Sequence, residues 1–143
     1  MRHYFAYGSN LSASAMRERC PDAREIGAAS LEGYRFLITS SGYGSIIPSV
    51  GESVYGVVWT ISESDERALD DYEGVEVNLY RKESIRLGDQ EALVYVQADT
   101  TAGLAHPGYL EAIIAAVVAR GFPERYVNHL RALRYNPIID SKE

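Results

Sequence analysis

Four consecutive residues near the N-terminus, Tyr7-Gly8-Ser9-Asn10, form the first group that could do chemistry. They lie between a predicted strand and a predicted helix, where backbone N–H groups converge and the helix adds partial positive charge. Such a turn can bind a carboxylate or stabilise a developing oxyanion, and Gly8 lets a ligand approach the backbone closely. An ordinary strand-to-helix turn capped by Asn10 explains the same residues, and the motif alone favours that structural interpretation.

Glu73 is the second candidate, in the segment Asp70-Asp71-Tyr72-Glu73-Gly74-Val75. It is predicted to lie at the C-terminus of a helix, where the helix dipole presents negative charge. That position raises the pKa of a carboxyl group, and burial raises it further. A carboxyl group that titrates near neutrality can act as both general acid and general base. A solvated acidic helix end is the alternative, and the pattern alone favours it.

Side chains that commonly act as nucleophiles or metal ligands are poorly placed. Ser9 is not in a Gly-x-Ser-x-Gly turn, and Cys20 precedes Pro21 at a predicted helix end, away from the helix N-terminus that would lower a thiol pKa. Gly42-Tyr43-Gly44 is followed by Ser45 rather than a phosphate-binding lysine, so a nucleotide loop is not supported. The histidines are scattered and none has metal-site spacing; they are His3, His106 and His129. We therefore expect neither a protein nucleophile nor a metal.

Composition indicates a globular protein with a substantial core. The chain has 143 residues, of which 46% are hydrophobic and 24% charged, so we expect a single domain over residues 1–143. Net charge is -6, from 14 basic and 20 acidic residues, which argues against a nucleic-acid partner. No apolar run is long enough to span a membrane and the N-terminus does not resemble a signal peptide, so we expect no membrane partner and a cytoplasmic location. The single cysteine cannot form an internal disulfide.

Local patterns predict the elements that must position these residues. Ser62 and Asp65 resemble a capping box at the start of a helix that Gly74 ends, and Gly88-Asp89 predicts a hairpin turn. The predicted strands are residues 3–7, 33–40, 53–60, 82–87 and 92–98. The predicted helices are residues 13–20, with Asn10 or Ser12 as the cap, and residues 62–72, 107–120 and 123–133.

Two C-terminal helices are predicted from their apolar faces, and the region before the third strand is predicted to be irregular. The first face comprises Leu110, Ile113, Ile114, Val117 and Val118, and the second comprises Tyr126, Leu130 and Leu133. Residues 41–51 are rich in Gly and Ser and predict a loop, in which residues 46–48 could pair briefly. Residues 137–143 predict a flexible tail. The order of elements favours an α+β fold with a mostly antiparallel or mixed sheet, curled into a small barrel and flanked by helices.

In combination, these segments resemble the γ-glutamylcyclotransferase-like superfamily, which includes butirosin-biosynthesis-type and avirulence-induced-gene-like proteins. The resemblance covers nearly the whole chain. It depends on ordered segments at suitable separations, which are residues 4–11, 54–59, 69–75, 107–109 and 121–126.

The resemblance implies roles for particular residues. Tyr7-Gly8-Ser9-Asn10 and Leu11 would hold the glutamyl group through backbone amides, Glu73 would be the catalytic acid/base, and Tyr80 and Tyr109 would be pocket tyrosines. It also implies a small-molecule γ-glutamyl substrate, no cofactor, and a monomer or homodimer.

The implied reaction accounts for the missing nucleophile. The α-amino group of a γ-glutamyl amide attacks its own γ-carbonyl, which closes the lactam ring of pyroglutamate (5-oxoproline) and expels an amine or amino acid. Because the attack is intramolecular, no serine, cysteine or metal is required.

Alternatives remain open at this stage. The Tyr-Gly-Ser-Asn sequence of the turn is more similar to the family branch that acts on γ-glutamyl amino acids or related amides. It is less similar to the glutathione-specific branch, which would act in glutathione metabolism. A γ-glutamylamine or capped metabolite is another substrate of the same reaction. A non-catalytic binding module would not need Glu73, and a serine- or cysteine-dependent amidase would need a nucleophile that the sequence does not offer.

Overall fold

Five strands form one mixed sheet in the computed structural model, which describes residues 1–133. The strands are β1 (Arg2–Ala6), β2 (Arg24–Ile38), β3 (Gly44–Ile61), β4 (Arg81–Leu87) and β5 (Gln90–Val96). The helices are α1 (Ala13–Arg19), α2 (Glu63–Glu73), α3 (Tyr109–Ala119) and α4 (Glu124–Ala132), and a short 3-10 helix spans Ser9–Leu11. The predicted α+β class is confirmed.

The sheet has the strand order β2-β3-β1-β5-β4. Strand β1 is antiparallel to β3 and parallel to β5, so the sheet is mixed. Within the described residues β2 and β4 are its two edges and the sheet does not close on itself. The predicted barrel is therefore only a loose description of an open, helix-flanked sheet.

The described residues group into two compact units. The first consists of Met1–Leu31 and Tyr55–Ala98, and the second of Glu32–Val54 together with the described residues from 99 onward. The single domain expected from the sequence stays a prediction.

In the first unit, β1 supplies much of the buried core. Tyr4 lies opposite Trp59 of β3 and in register with Leu93 of β5, and all three side chains are buried. Strands β4 and β5 form the predicted antiparallel hairpin, with Gly88 in the left-handed conformation at the turn. The strand prediction that began at residue 3 is confirmed to within a residue at each end.

In the second unit, α3 and α4 bury the apolar faces expected from their spacing, with one exception. Leu110, Ile113, Ile114 and Val117 are buried, as are Tyr126, Leu130 and Leu133. Val118 is 50% exposed, so its place in the buried stripe was wrongly predicted. It lies about 80° around the helix from Leu110, beyond the arc that the other apolar residues occupy.

The loop predicted over residues 41–51 is confirmed for residues 41–43 and wrong from Gly44 onward, where the strand includes the residues 46–48 that were expected to pair briefly. Strand β3 begins at Gly44 and runs through that segment, and β2 begins at Arg24, well before the predicted start at residue 33. Pairing between neighbouring strands outweighs the weak strand preference of Gly and Ser. The tail predicted over residues 137–143 lies outside the described residues. Between residues 1 and 133, every helix falls short of the length and apolar character needed to cross a bilayer.

Candidate active site

The segment after β1 forms one tight turn. The N–H of Leu11 donates to the carbonyl of Gly8 at 3.0 Å, and the N–H of Ser12 donates to that of Ser9 at 3.2 Å. The N–H groups of Ser9 and Asn10 open this turn, and within residues 1–133 no backbone carbonyl accepts from them. Leu11 is 1% exposed and its N–H is occupied by Gly8, so it anchors the turn in the core, and the ligand contact implied for it stays a prediction.

The side chain of Asn10 joins the turn to β1 and α1. It is 2% exposed; its Nδ2 donates to the Tyr4 hydroxyl at 3.0 Å, and its Oδ1 accepts from the guanidinium of Arg19. Helix α1 is capped instead by Ser12, whose Oγ accepts from the N–H of Ala15 at 3.3 Å. Of the two predicted caps, the Ser12 assignment is confirmed and the Asn10 assignment is wrong, because the Asn10 amide is already occupied on both sides.

Tyr7, directly after β1, is hydrogen-bonded to the neighbouring strand β5. Its buried hydroxyl donates to the backbone carbonyl of Tyr95 at 2.6 Å. The Tyr95 hydroxyl in turn donates to Asp70 of α2 at 2.7 Å, and its ring meets that of Tyr4 edge-on at 5.9 Å. One residue of β5 thus fixes both the turn and the helix that carries the candidate carboxylate.

Glu73 is the last residue of α2, as the sequence predicted. Gly74 takes the left-handed conformation, with φ 68°, and its N–H bonds back to the last turn. The N–H of Val75 donates to the carbonyl of Asp70 at 3.0 Å and completes the helix end. Here the helix dipole opposes a negative charge.

The half-buried carboxyl group of Glu73 is placed to titrate near neutral pH. Burial raises its pKa to about 7, while the positive charge of Arg19 acts in the opposite direction. Among residues 1–133, no hydrogen bond to this carboxyl group is found. Burial, with a smaller contribution from Glu73, raises the pKa of the Tyr4 hydroxyl, which therefore stays protonated.

The turn and the helix end meet directly. The Ser9 hydroxyl and the Tyr72 hydroxyl share a hydrogen bond of 2.9 Å, and Tyr72 precedes Glu73. The guanidinium of Arg19 lies 3.6 Å from the centroid of the Tyr72 ring. The two segments that the sequence singled out separately thus form one cluster in the first unit.

The two pocket tyrosines occupy different units. Tyr80 is buried immediately before β4 in the first unit. Tyr109 begins α3 in the second unit, where its hydroxyl accepts from the N–H of Gly44 at 3.0 Å and its ring meets that of Tyr43 edge-on. Their contact with a substrate stays a prediction.

Cys20 and two of the histidines, which the sequence analysis did not favour as nucleophiles or metal ligands, make structural contacts. Cys20 is 1% exposed, its thiol donates to the carbonyl of Asp65 at 3.6 Å, and burial raises its pKa to about 11. In the second unit the imidazoles of His106 and His129 contact the backbone carbonyls of Ser41 and Phe36. Among residues 1–133, no group of three His, Cys, Asp or Glu side chains is arranged to hold a metal ion.

Sequence reasoning missed Tyr4, Arg19 and Tyr95. Alternation along β1 could have placed Tyr4 on an inward face, but no local pattern links it to Asn10. The bond between Tyr7 and Tyr95 joins residues 88 positions apart. These partners become visible only in the folded structure, where the strands are paired and α1 and α2 lie beside the turn.

Comparisons with known proteins place this cluster in context. A family model described as Gamma-glutamyl cyclotransferase, AIG2-like, matches residues 4–111. A human protein named Gamma-glutamylcyclotransferase is 28% identical over 148 aligned residues, covering 93% of this chain and 79% of the human protein. A mouse protein of the same name gives the same identity and coverage. A solved structure described as Gamma-glutamyl cyclotransferase has a TM-score of 0.84 at 25% identity, covering 99% of this chain and 93% of that one.

Proposed function

Because the chain belongs to the Gamma-glutamyl cyclotransferase, AIG2-like family, we propose that it converts a γ-glutamyl amide into pyroglutamate and a free amine or amino acid. Glu73 is the general acid/base of this reaction. The observation that carries the proposal is its half-buried carboxyl group at the end of α2, beside the Tyr7-Gly8-Ser9-Asn10 turn, with a pKa raised to about 7.

The reaction needs one group that can accept and return a proton. The α-ammonium group of the substrate must lose a proton before its nitrogen attacks the γ-carbonyl, and the leaving nitrogen must gain one. A carboxyl group that titrates near neutral pH can do both in turn. The ring closure is intramolecular, so the substrate supplies the nucleophile and positioning supplies most of the rate.

The reaction also needs groups that bind the substrate and stabilise its oxyanion, and the turn after β1 can supply them. The N–H groups of Ser9 and Asn10 open a helical turn, and within the described residues no backbone carbonyl competes for them. Groups of this kind bind a carboxylate or stabilise the oxyanion that forms as the ring closes. Gly8 leaves space for the substrate at the backbone. Tyr80, which is buried in the same unit, is proposed to line the pocket, and the substrate-binding role that the resemblance implies for Tyr109 stays a prediction.

The substrate is proposed to be a small γ-glutamyl compound. A γ-glutamyl amino acid is the first candidate, in line with the Tyr-Gly-Ser-Asn form of the turn. Glutathione, a γ-glutamylamine and a capped metabolite are the others. The proposal includes a cytoplasmic location. It also includes no nucleic-acid partner, for which the net charge of -6 is the support.

A substrate panel with product analysis tests the proposal. Purified protein is incubated with γ-glutamyl dipeptides, γ-glutamylamines and glutathione, and pyroglutamate, glutamate and the released amine are measured by mass spectrometry. We expect pyroglutamate in equal amount to the released amine, and no glutamate. Glutamate as the product would show attack by water or by an acyl-enzyme route and would overturn the cyclisation.

An N-acetylated form of the best substrate tests the nucleophile. It keeps the α-carboxylate but has no competent amine, so we expect no turnover. Inhibition of the parent reaction by the acetylated compound would show that it still binds. Cleavage of the acetylated compound would mean that the protein supplies a nucleophile or activates water, and that Glu73 has another role.

A further inference from the structure

Arg19, which the sequence did not suggest, contacts the active-site cluster on two sides. It donates to the Oδ1 of Asn10 in the turn, and its guanidinium lies 3.6 Å from the centroid of the Tyr72 ring, next to Glu73. Asn10 is 2% exposed, so this bond is made to a buried amide that also holds Tyr4. We propose that Arg19 is a positioning residue of this enzyme, which fixes the turn against the helix end so that Glu73 faces the bound substrate.

The two contacts of Arg19 are a stack on the Tyr72 ring and a hydrogen bond to Asn10, and one side chain must make both. A planar guanidinium can lie flat on an aromatic ring and donate in its own plane at the same time, whereas an ammonium group is a compact point charge that does neither well. The stack on Tyr72 and the bond to Asn10 therefore require arginine in particular. Arg19 stands in the last turn of α1, where a positive charge is also favoured by the helix dipole.

Arg19 also sets the electrostatic surroundings of Glu73. Its charge favours the ionised carboxylate, against the effect of burial. The other titratable or charged groups of the cluster come from each neighbouring element: Tyr4 from β1, Cys20 after α1, Glu66 and Asp70 from α2, Lys82 from β4 and Tyr95 from β5. Lys82 pairs with both Glu66 and Asp70, and Arg19 is the cation that acts on Glu73.

Shape and charge can be separated by two substitutions. Arg19→Lys keeps the charge but loses the flat stack and the in-plane bond. Arg19→Gln loses the charge and the stack. Arg17→Gln is the matched control, because Arg17 is exposed and lies on the same helix. This inference rests on the proposed function, so one of its measurements must not depend on turnover.

Two measurements are made on wild type and each variant. The first is kcat and KM against pH with the best γ-glutamyl substrate. The second is the titration of the Glu73 carboxyl carbon by NMR in selectively labelled protein without substrate. For Arg19→Gln we expect the Glu73 titration and the acidic limb of kcat/KM to move up together by roughly one pH unit. For Arg19→Lys we expect the titration to stay near wild type while kcat falls about tenfold, with little change in KM. Arg17→Gln should match wild type throughout.

The outcomes separate this inference from the proposed function. If no substrate turns over but the Glu73 titration moves in Arg19→Gln, the function fails and the link between Arg19 and Glu73 stands. An unmoved titration in Arg19→Gln overturns the inference, as does a loss of thermal stability in both variants with normal kcat per folded molecule. If Arg19→Gln does not fold, Tyr72→Leu removes the stacking surface at a residue that is 46% exposed, and Tyr72→Phe, which keeps the ring and loses only the bond to Ser9, is its control. Tyr72→Leu should lower kcat as Arg19→Lys does, and normal kcat there would also overturn the inference.

Discussion

At its N-terminal end, helix α2 holds the carboxylate of Asp65 against two backbone N–H groups, whereas at its C-terminal end it holds Glu73 without a described hydrogen-bond donor. Asp65 is 1% exposed and accepts from the N–H of Ser62 at 3.1 Å and that of Asp22 at 3.4 Å. Its own N–H donates to the Ser62 side chain, which completes the capping box. The two carboxylates belong to one helix of eleven residues.

The contrast shows how position on a helix gives one functional group two uses. At the N-terminus the dipole and the free N–H groups stabilise a negative charge, so Asp65 is a structural group whose lone pairs are occupied. At the C-terminus the dipole opposes the charge and burial raises the pKa of Glu73 to about 7, so this carboxyl group can exchange a proton at neutral pH. Four tests address this contrast, and they follow in order of expected effect.

The largest effect is expected from a substitution of Glu73, at the C-terminal end of α2. Glu73→Gln keeps the size of the side chain but removes proton transfer, so kcat should fall by roughly two to four orders of magnitude while substrate binding survives. Steady-state kinetics with the best γ-glutamyl substrate measures this. Asp71→Asn, at an exposed neighbouring acid, is the control and should behave as wild type. Near-normal turnover in Glu73→Gln would end the acid/base assignment.

A substitution of Asp65, at the N-terminal end of α2, should lower the free energy of unfolding rather than kcat. Asp65→Ala leaves the part-buried N–H groups of Ser62 and Asp22 without their acceptor and removes one side of the capping box, which should cost about 1–2 kcal/mol. Urea denaturation measures the loss, and kcat per folded molecule should stay close to wild type. Glu63→Ala, at an exposed residue of the same first turn, should change the stability far less. Equal losses in the two variants would show that the capping contacts are not specific.

A smaller effect is expected on the free energy of unfolding, because ionisation of Glu73 in the folded protein is unfavourable. Its pKa is raised from 4.5 in the unfolded chain to about 7 in the folded protein, so between these values the folded state binds more protons. The contribution of Glu73 to stability therefore falls as pH rises through this window and is constant above it. Glu73→Gln should then melt a few degrees above wild type at pH 8 and close to wild type at pH 4. Calorimetry at the two pH values measures the difference, and a Glu73→Gln variant that is less stable at pH 8 would contradict the raised pKa.

No effect is expected from a chelator. The sequence offers no metal-site spacing, so incubation with EDTA should leave both kcat and the melting temperature unchanged. The same assay after gel filtration and addition of Zn²⁺ or Mg²⁺ is the control. Activity that is lost with EDTA and restored by a divalent ion would mean that the enzyme has a metal site, against this prediction.

Helix α2 was predictable from sequence because its signals are local. The capping box of Ser62 and Asp65 and the left-handed Gly74 are each encoded within a few residues, and both ends are confirmed. The turn at Gly88 was predictable for the same reason. Local chemistry also singled out the two segments that the fold brings together, although the roles of their residues stay predictions.

The errors arose where distant segments decide the structure. The first part of β3, from Gly44, was predicted as a loop because its Gly and Ser residues carry little strand preference, and pairing with a neighbouring strand is not visible in a local window. Arg19 was overlooked because its partners lie in the turn and in α2, and neither contact has a sequence pattern of its own.

The buried thiol of Cys20 also makes the protein convenient to label. This is the only cysteine of the chain, it is 1% exposed, and its pKa of about 11 leaves very little reactive thiolate near pH 7. A second cysteine introduced at an exposed turn residue, such as Asp89→Cys, would react with a maleimide dye while the native thiol stays silent. A fluorescent reporter can therefore be attached at one chosen surface position while the buried core stays unaltered.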